Sequence, residues 1–248
     1  MIPLKSPKDL VMLKHSGKIL ASVMQRLQVA LCAGMTTLDI DRLSEKLIRQ
    51  EKAQAAFKGY RGFPGTACVS VNEEIVHGIP GPRIISEGDI VSIDLGVNYQ
   101  GFFSDMAVTL PVGKVSDDKL RLVNAAKHSL ELGIKQAQVG NYLTDISHSI
   151  QSFVESEGFS VVRQFVGHGI GTALHEEPEV PNFGSAGFGP LLKNGMVLAI
   201  EPMINLGGWE CVVVKNGWTA VTKDGAPSAH FEHTVAVTNK GPLILTKL

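Results

Sequence analysis

Part of this chain occurs twice. Gly34, Asp39, Ile40 and Glu51 recur as Gly140, Asp145, Ile146 and Glu157, a constant offset of 106 residues. The run Gly88-Asp-Ile-Val-Ser-Ile-Asp94 returns as Gly195-Met-Val-Leu-Ala-Ile-Glu201 at an offset of 107. In both copies a glycine and an acid bracket an apolar strand. Self-similarity at one long spacing restricts the fold more than any single segment, because each copy must bury the same kind of surface. The chain therefore reads as two related halves, roughly 1–112 and 113–248, forming a single domain. Each half has helices followed by antiparallel strands, an α+β arrangement in which two sheet portions meet about a pseudo-two-fold axis. An acid-bearing strand from each half then lies near that axis.

The helices carry their own start signals. Ser6-Pro7-Lys8-Asp9 supplies a hydroxyl cap, a proline at the first helical position and an acid at the third. Leu10, Leu13, Leu20, Met24 and Leu27 follow at helical spacing. A second helix opens at Thr36-Thr37-Leu38-Asp39 with Ile40, Leu43 and Leu47 inward, and a third near Asp117 with Leu120, Val123, Leu130 and Ile134.

Composition excludes several functions. With 23 basic and 24 acidic residues the formal charge is -1, which gives no general attraction for DNA. Cys32, Cys68 and Cys211 are odd in number and widely spaced, so neither a disulfide framework nor a thiolate metal site is expected, and a reducing cytoplasm is. The first residues hold no apolar run long enough for a signal peptide or a membrane span.

The acids carry the chemistry. Ile90-Val-Ser-Ile-Asp-Leu-Gly96 and Phe102-Phe-Ser-Asp-Met-Ala-Val-Thr109 flank Asn98-Tyr-Gln-Gly101, a hairpin signal. A turn centred between Tyr99 and Gln100 predicts that Asp94 stands directly opposite Asp105. Two carboxylates so placed, with Cβ atoms roughly 4.5–5.5 Å apart, repel unless a proton or a cation intervenes. A lone aspartate in a strand is usually wet or paired with a base; two inside such apolar strands point to a metal or to catalysis. Glu201 ends an apolar strand at Pro202, which removes a backbone donor, and Glu232 precedes the strand-like His233-Thr-Val-Ala-Val237.

Gly167-His168-Gly-Ile-Gly171 sets an imidazole among glycines, where little bulk blocks a ligand. His175-Glu-Glu-Pro178 and Val76-His77-Gly-Ile-Pro80 supply two more histidines with glycine or proline close by, whereas His15, His128 and His148 fall on helical stretches and read as scaffold. Four carboxylates and one imidazole, without a thiolate, suit two divalent ions such as Mn, Fe or Co, with Zn also compatible. A pair of ions sharing carboxylates is hydrolase equipment.

These motifs in this order, with Asp94-Leu-Gly, Ser104-Asp105, Ala199-Ile-Glu201-Pro-Met and Phe231-Glu232-His-Thr, resemble the type I methionine aminopeptidases of the "pita-bread" metallopeptidase group over essentially the whole chain. The resemblance implies a pseudo-symmetric antiparallel sheet backed by helices, with Asp94, Asp105, His168, Glu201 and Glu232 holding two divalent ions (Co, Mn, Fe or Zn) and Asp105 and Glu232 as the bridges. It implies catalytic roles for His77 beside the scissile amide, His175 at the oxyanion and Glu201 as proton shuttle, with a metal-bound hydroxide attacking the first peptide carbonyl. A methionine pocket is implied at Phe57, Tyr60, Phe63, Cys68, Leu174 and Trp218. Phe57, Phe63 and Leu174 depart from the family's familiar cysteine, tyrosine and phenylalanine but stay apolar. Backbone carbonyls at Asn72 and Ser228 match positions that help hold a monovalent cation.

The implied activity is removal of the initiator methionine from nascent polypeptides with a small second residue. It is expected of a cytoplasmic monomer in passing contact with ribosomes, without DNA or membrane partners. A prolidase of the same fold would bring a large extra N-terminal domain, and the type II enzymes an insertion that the stretch from His175 to Glu201 is too short to hold. A non-catalytic adaptor would lack ligands, and all five are present.

Overall fold

The start signals act where they stand. In the computed structural model, which describes residues 2–248, helix α1 spans Pro7–Ala30 and helix α2 Thr37–Gln50. Ser6 and Thr36 each accept a hydrogen bond from the N–H of the residue three positions on, Asp9 or Asp39, whose carboxylate accepts from the cap's own N–H. This exchange satisfies two donors that a helix start leaves orphaned. Helices α3, Asp117–Gln136, and α4, Leu143–Ser156, follow in the second half.

The repeat extends to backbone geometry. Helix α4 is α2 displaced by 106 residues at both ends, and α1 and α3 finish at the same offset. Gly34 and Gly140 precede the matched helices with φ of 93° and 94°, a left-handed conformation that side chains with a Cβ resist. An isolated bridge joins Thr36 to Ile84 in one half and Tyr142 to Leu191 in the other.

Each half builds its own apolar cluster. One joins Leu20, Met24, Leu27, Ile40 and Leu47 to the strands holding Val69, Val91, Ile93 and Val108. The other joins Val123, Leu130, Ile134, Ile146 and Ile150 to Leu198, Ile200, Val235 and Val237. Leu120, expected on the inner face of α3, is instead 45% exposed; it lies in the first turn, ahead of the first buried residue, Leu122.

Every pairing between strands is antiparallel. In the first half, Ile90–Tyr99 lies between Ala67–Val71 and Phe102–Pro111. In the second, a five-stranded sheet runs in the order Gly241–Ile244, His233–Thr238, Val197–Ile200, Gly167–Gly169, Glu176–Val180. The hairpin register differs from expectation by one position. Tyr99 pairs with Phe102, so the turn is centred between Gln100 and Gly101, both left-handed with φ of 53° and 85°. Asp94 therefore faces Ala107, and Asp105 faces Gly96. The two acids are diagonal neighbours, not a direct pair. The partner shifts by two residues, the period of a strand, so both still point to one face.

Side chains stitch the two sheets together. Thr234 Oγ1 accepts from the Asp105 N–H at 2.9 Å and donates to the Asp105 carbonyl at 2.8 Å. Thr109 Oγ1 makes the same double contact with the backbone of His230, whose strand Ser228–His230 pairs with Met203–Asn205 in a separate sheet, and the Glu232 N–H donates to the Ala107 carbonyl at 2.9 Å. This seam sets acids from both halves side by side. Among the described residues, no helix is long and apolar enough to cross a membrane.

Candidate metal centre

Two carboxylates reach the seam from within strands and two from strand ends. Asp94 and Asp105 project from the first-half hairpin, Glu201 follows Val197–Ile200, and Glu232 immediately precedes His233–Thr238. Asp105 and Glu232 are buried, while Asp94 and Glu201 open partly onto a cleft of about 640 Å³. His168 faces the acids from Gly167–Gly169, its Nε2 lying 3.6 Å from Glu201 Oε1 and 4.0 Å from Asp105 Oδ2. Its flanking glycines are obligatory here. A Cβ on Gly167 would meet the Ala199 carbonyl, and one on Gly169 the Glu177 carbonyl.

Electrostatics leave the cluster short of positive charge. Burial pushes Asp94, Asp105, Glu201 and Glu232 well above the usual carboxylate range, and the neighbouring acids push them further. Among the described residues, Asp94 Oδ1 and Glu232 Oε1 are buried without a hydrogen-bond partner. Buried polar atoms are rarely left so, because the desolvation is otherwise uncompensated. Burial holds His168 down at about 4, so the ring is neutral. Its Nδ1 sits 2.9 Å from the Gly169 carbonyl, which places the ring proton there and leaves the Nε2 lone pair toward the acids. Asp105, His168 and Glu232 offer ligand atoms within 4.8 Å of one another. An oxygen-rich set with one imidazole fits divalent cations.

All the pocket residues expected from sequence line this same cleft. Phe57, Phe63, Cys68 and Leu174 are buried, and Tyr60 and Trp218 half-buried, with Phe63 edge-on to Trp218 at 5.2 Å. Burial, then the charges of Asp94 and Asp105, raise the Cys68 thiol, so it lines the pocket as a neutral group. His175 stacks on Tyr60, with Nδ1 3.0 Å from the phenolic oxygen, and its ring centroid is 4.1 Å from that of His168. Burial, followed by the neighbouring His168 and Arg61, lowers His175 to about 3. His77 adopts a left-handed φ of 59° between Phe165 and Trp218, the strained backbone that functional positions tolerate.

Two residues, one lining the cleft and one buried beside Glu201, escape a sequence reading. Arg61 lines the cleft beside Tyr60. His230 is 1% exposed with Nε2 3.7 Å from Glu201 Oε2, and its place at the end of Ser228–His230 gives no sign of this in the sequence. His15, His128 and His148 are exposed and lie outside the cleft. At Asn72 the backbone carbonyl accepts from the Ser228 N–H, and the side-chain oxygen accepts from Lys119 Nζ at 2.9 Å.

The profile of metallopeptidase family M24 matches residues 11–239. The chain is 47% identical over 248 residues to methionine aminopeptidase 1 of Bacillus subtilis, covering all of both. It is 49% identical over 246 residues to the methionine aminopeptidase of Clostridium perfringens, covering 99% of each. The crystal structure of methionine aminopeptidase from Thermotoga maritima superposes with a TM-score of 0.98 at 45% identity, again over 100% of both chains.

Proposed function

From a chain that belongs to metallopeptidase family M24, in its methionine aminopeptidase branch, we infer an enzyme that removes the N-terminal methionine of new polypeptides when the second residue is small. The observation that carries this reading is the joining of an apolar pocket to an acid cluster in one cleft. A methionine side chain fills the first while its peptide bond lies against the second. We further propose that residues 1–248 act as one catalytic domain, a cytoplasmic monomer in transient contact with ribosomes.

Asp94, Asp105, His168, Glu201 and Glu232 would hold divalent ions of the Co, Mn, Fe or Zn class, two of them on our reading. When bound, these ions supply stabilisation of negative charge and a lowered water pKa. Glu201 takes the proton of the attacking water and delivers it to the leaving amine, a role suited to a carboxylate whose proton affinity burial has raised. With the Tyr60 hydroxyl 3.0 Å from His175 Nδ1 as donor, the ring proton would sit on Nε2, available to the carbonyl oxygen as it becomes negative. Because His175 is neutral at physiological pH, it donates a hydrogen bond there without a full charge. His77 contacts the substrate beside the scissile amide.

Hydrolysis of Met-Ala-Ser and Gly-Pro peptides with added Mn²⁺ or Co²⁺ tests the assignment. Cleavage of Met-Ala-Ser alone is expected. Cleavage of Gly-Pro alone would mean a prolidase, and cleavage of neither a protein without this catalysis.

A further inference from the structure

His230 is buried at the seam, yet none of the roles above uses it. Thr109 grips its backbone on both sides, accepting from the N–H and donating to the carbonyl, each at 2.8 Å. The ring therefore has a fixed origin. Its Nε2 is buried, has no partner among the described residues, and lies 3.7 Å from Glu201 Oε2. The other oxygen of the same carboxylate, Oε1, is 3.6 Å from His168 Nε2. Glu201 thus stands between two imidazoles, one toward each oxygen. His168 turns a lone pair to its side, since its proton is engaged by the Gly169 carbonyl. An ionised carboxylate can only accept, so a nitrogen facing it gains from bearing a proton.

We propose that His230 is a positioning residue for Glu201. Its Nε2–H donates to Oε2, which holds the carboxylate plane and leaves Oε1 turned toward His168 and available for the proton Glu201 takes. This rests on the metallopeptidase reading for what Glu201 does. The competing geometry is a direct one: Glu201, His230 and Glu232 also offer ligand atoms within 4.8 Å of one another, so the ring could ligate through a bare Nε2.

Nitrogen NMR of ¹⁵N-histidine-labelled, Zn²⁺-loaded protein separates the two. The proposal expects a proton on His230 Nε2; an unprotonated, metal-shifted Nε2 overturns it. Two variants read the consequence. His230→Gln retains an N–H donor, and should keep Co²⁺ affinity by calorimetry and kcat on Met-Ala-Ser within about threefold of the parent. His230→Leu removes the donor, and should lose roughly 10–100-fold in Co²⁺ affinity or in kcat, with KM changed less, as loss of an outer hydrogen bond to a metal ligand does. Parental affinity and kcat in the leucine variant would overturn the proposal, and so would a folded glutamine variant that binds Co²⁺ as poorly as the leucine one. Should leucine prevent folding, the NMR result and the glutamine variant still decide. Tautomer and metal affinity are read without substrate, so failure of the parent protein to cleave Met-Ala-Ser would sink the functional reading alone.

Discussion

Tyr60 reaches His175 through a single oxygen, 3.0 Å from Nδ1, and in the proposed role that hydroxyl donates and leaves the ring proton on Nε2. Tyr60→Phe keeps the stacked ring but frees the tautomer, so kcat on Met-Ala-Ser should fall about tenfold or more with KM moving less. Steady-state kinetics on metal-loaded protein will show it, and an unchanged kcat would remove His175 from the oxyanion. Glu201→Gln should lower kcat by roughly a hundredfold or more while the peptide still docks; normal turnover in the fully metal-loaded variant would end the proton-shuttle role. At this scale the acids were legible because their chemistry is conspicuous: a carboxylate within an apolar strand needs a reason. His230 was not, since Ser-Ala-His reads as ordinary strand and only the fold shows its bare nitrogen turned toward Glu201. Arg61 was hidden for a different reason: its left-handed φ of 49°, which turns the chain beside Tyr60, has no sequence signature in an arginine.

Among the elements, the joint between the sheets matters more than either sheet alone. Thr234→Val keeps the shape of the side chain but leaves the Asp105 N–H and carbonyl without their partner in a buried place. It should cost about 2 kcal/mol or more, read as a lower denaturation midpoint, and should weaken metal binding because Asp105 loses its anchor. A denaturation midpoint matching the parent's would show that the joint is not structural. The helices were legible down to their caps, since Ser6 with Asp9 and Thr36 with Asp39 are local devices that function without tertiary help. The hairpin register was not, because Gln100 enters the left-handed region although glutamine has no preference for it. That error moved the partner of Asp94 without moving its face, so the site survived it. The seam itself had no local signal: Thr109 and Thr234 read as ordinary strand threonines until the sheets meet.

Over the whole molecule, the unpaired acids tie stability to pH. Without an ion, Asp94, Asp105, Glu201 and Glu232 keep protons that the unfolded chain releases above about pH 4. Folded then binds more protons than unfolded, so this contribution to stability falls as pH rises. The buried histidines act in the opposite sense. His168, His175, His230 and His233 are held down at about 3 to 4, and their contribution is lost as pH falls below about 6.5. A divalent ion replaces the acids' protons and removes the first loss. The melting gap between metal-loaded and chelated protein should therefore widen as pH rises above about 4. Scanning calorimetry with and without chelator checks it, and a gap that narrows would contradict the account. The repeat has a further consequence. Each half carries its own apolar cluster, while Asp94 and Asp105 come from one and His168, Glu201 and Glu232 from the other. Were the chain cut in the exposed turn at Gly113, pieces 1–112 and 113–248 would each carry only part of the proposed ligand set, and a bound ion would favour their reunion.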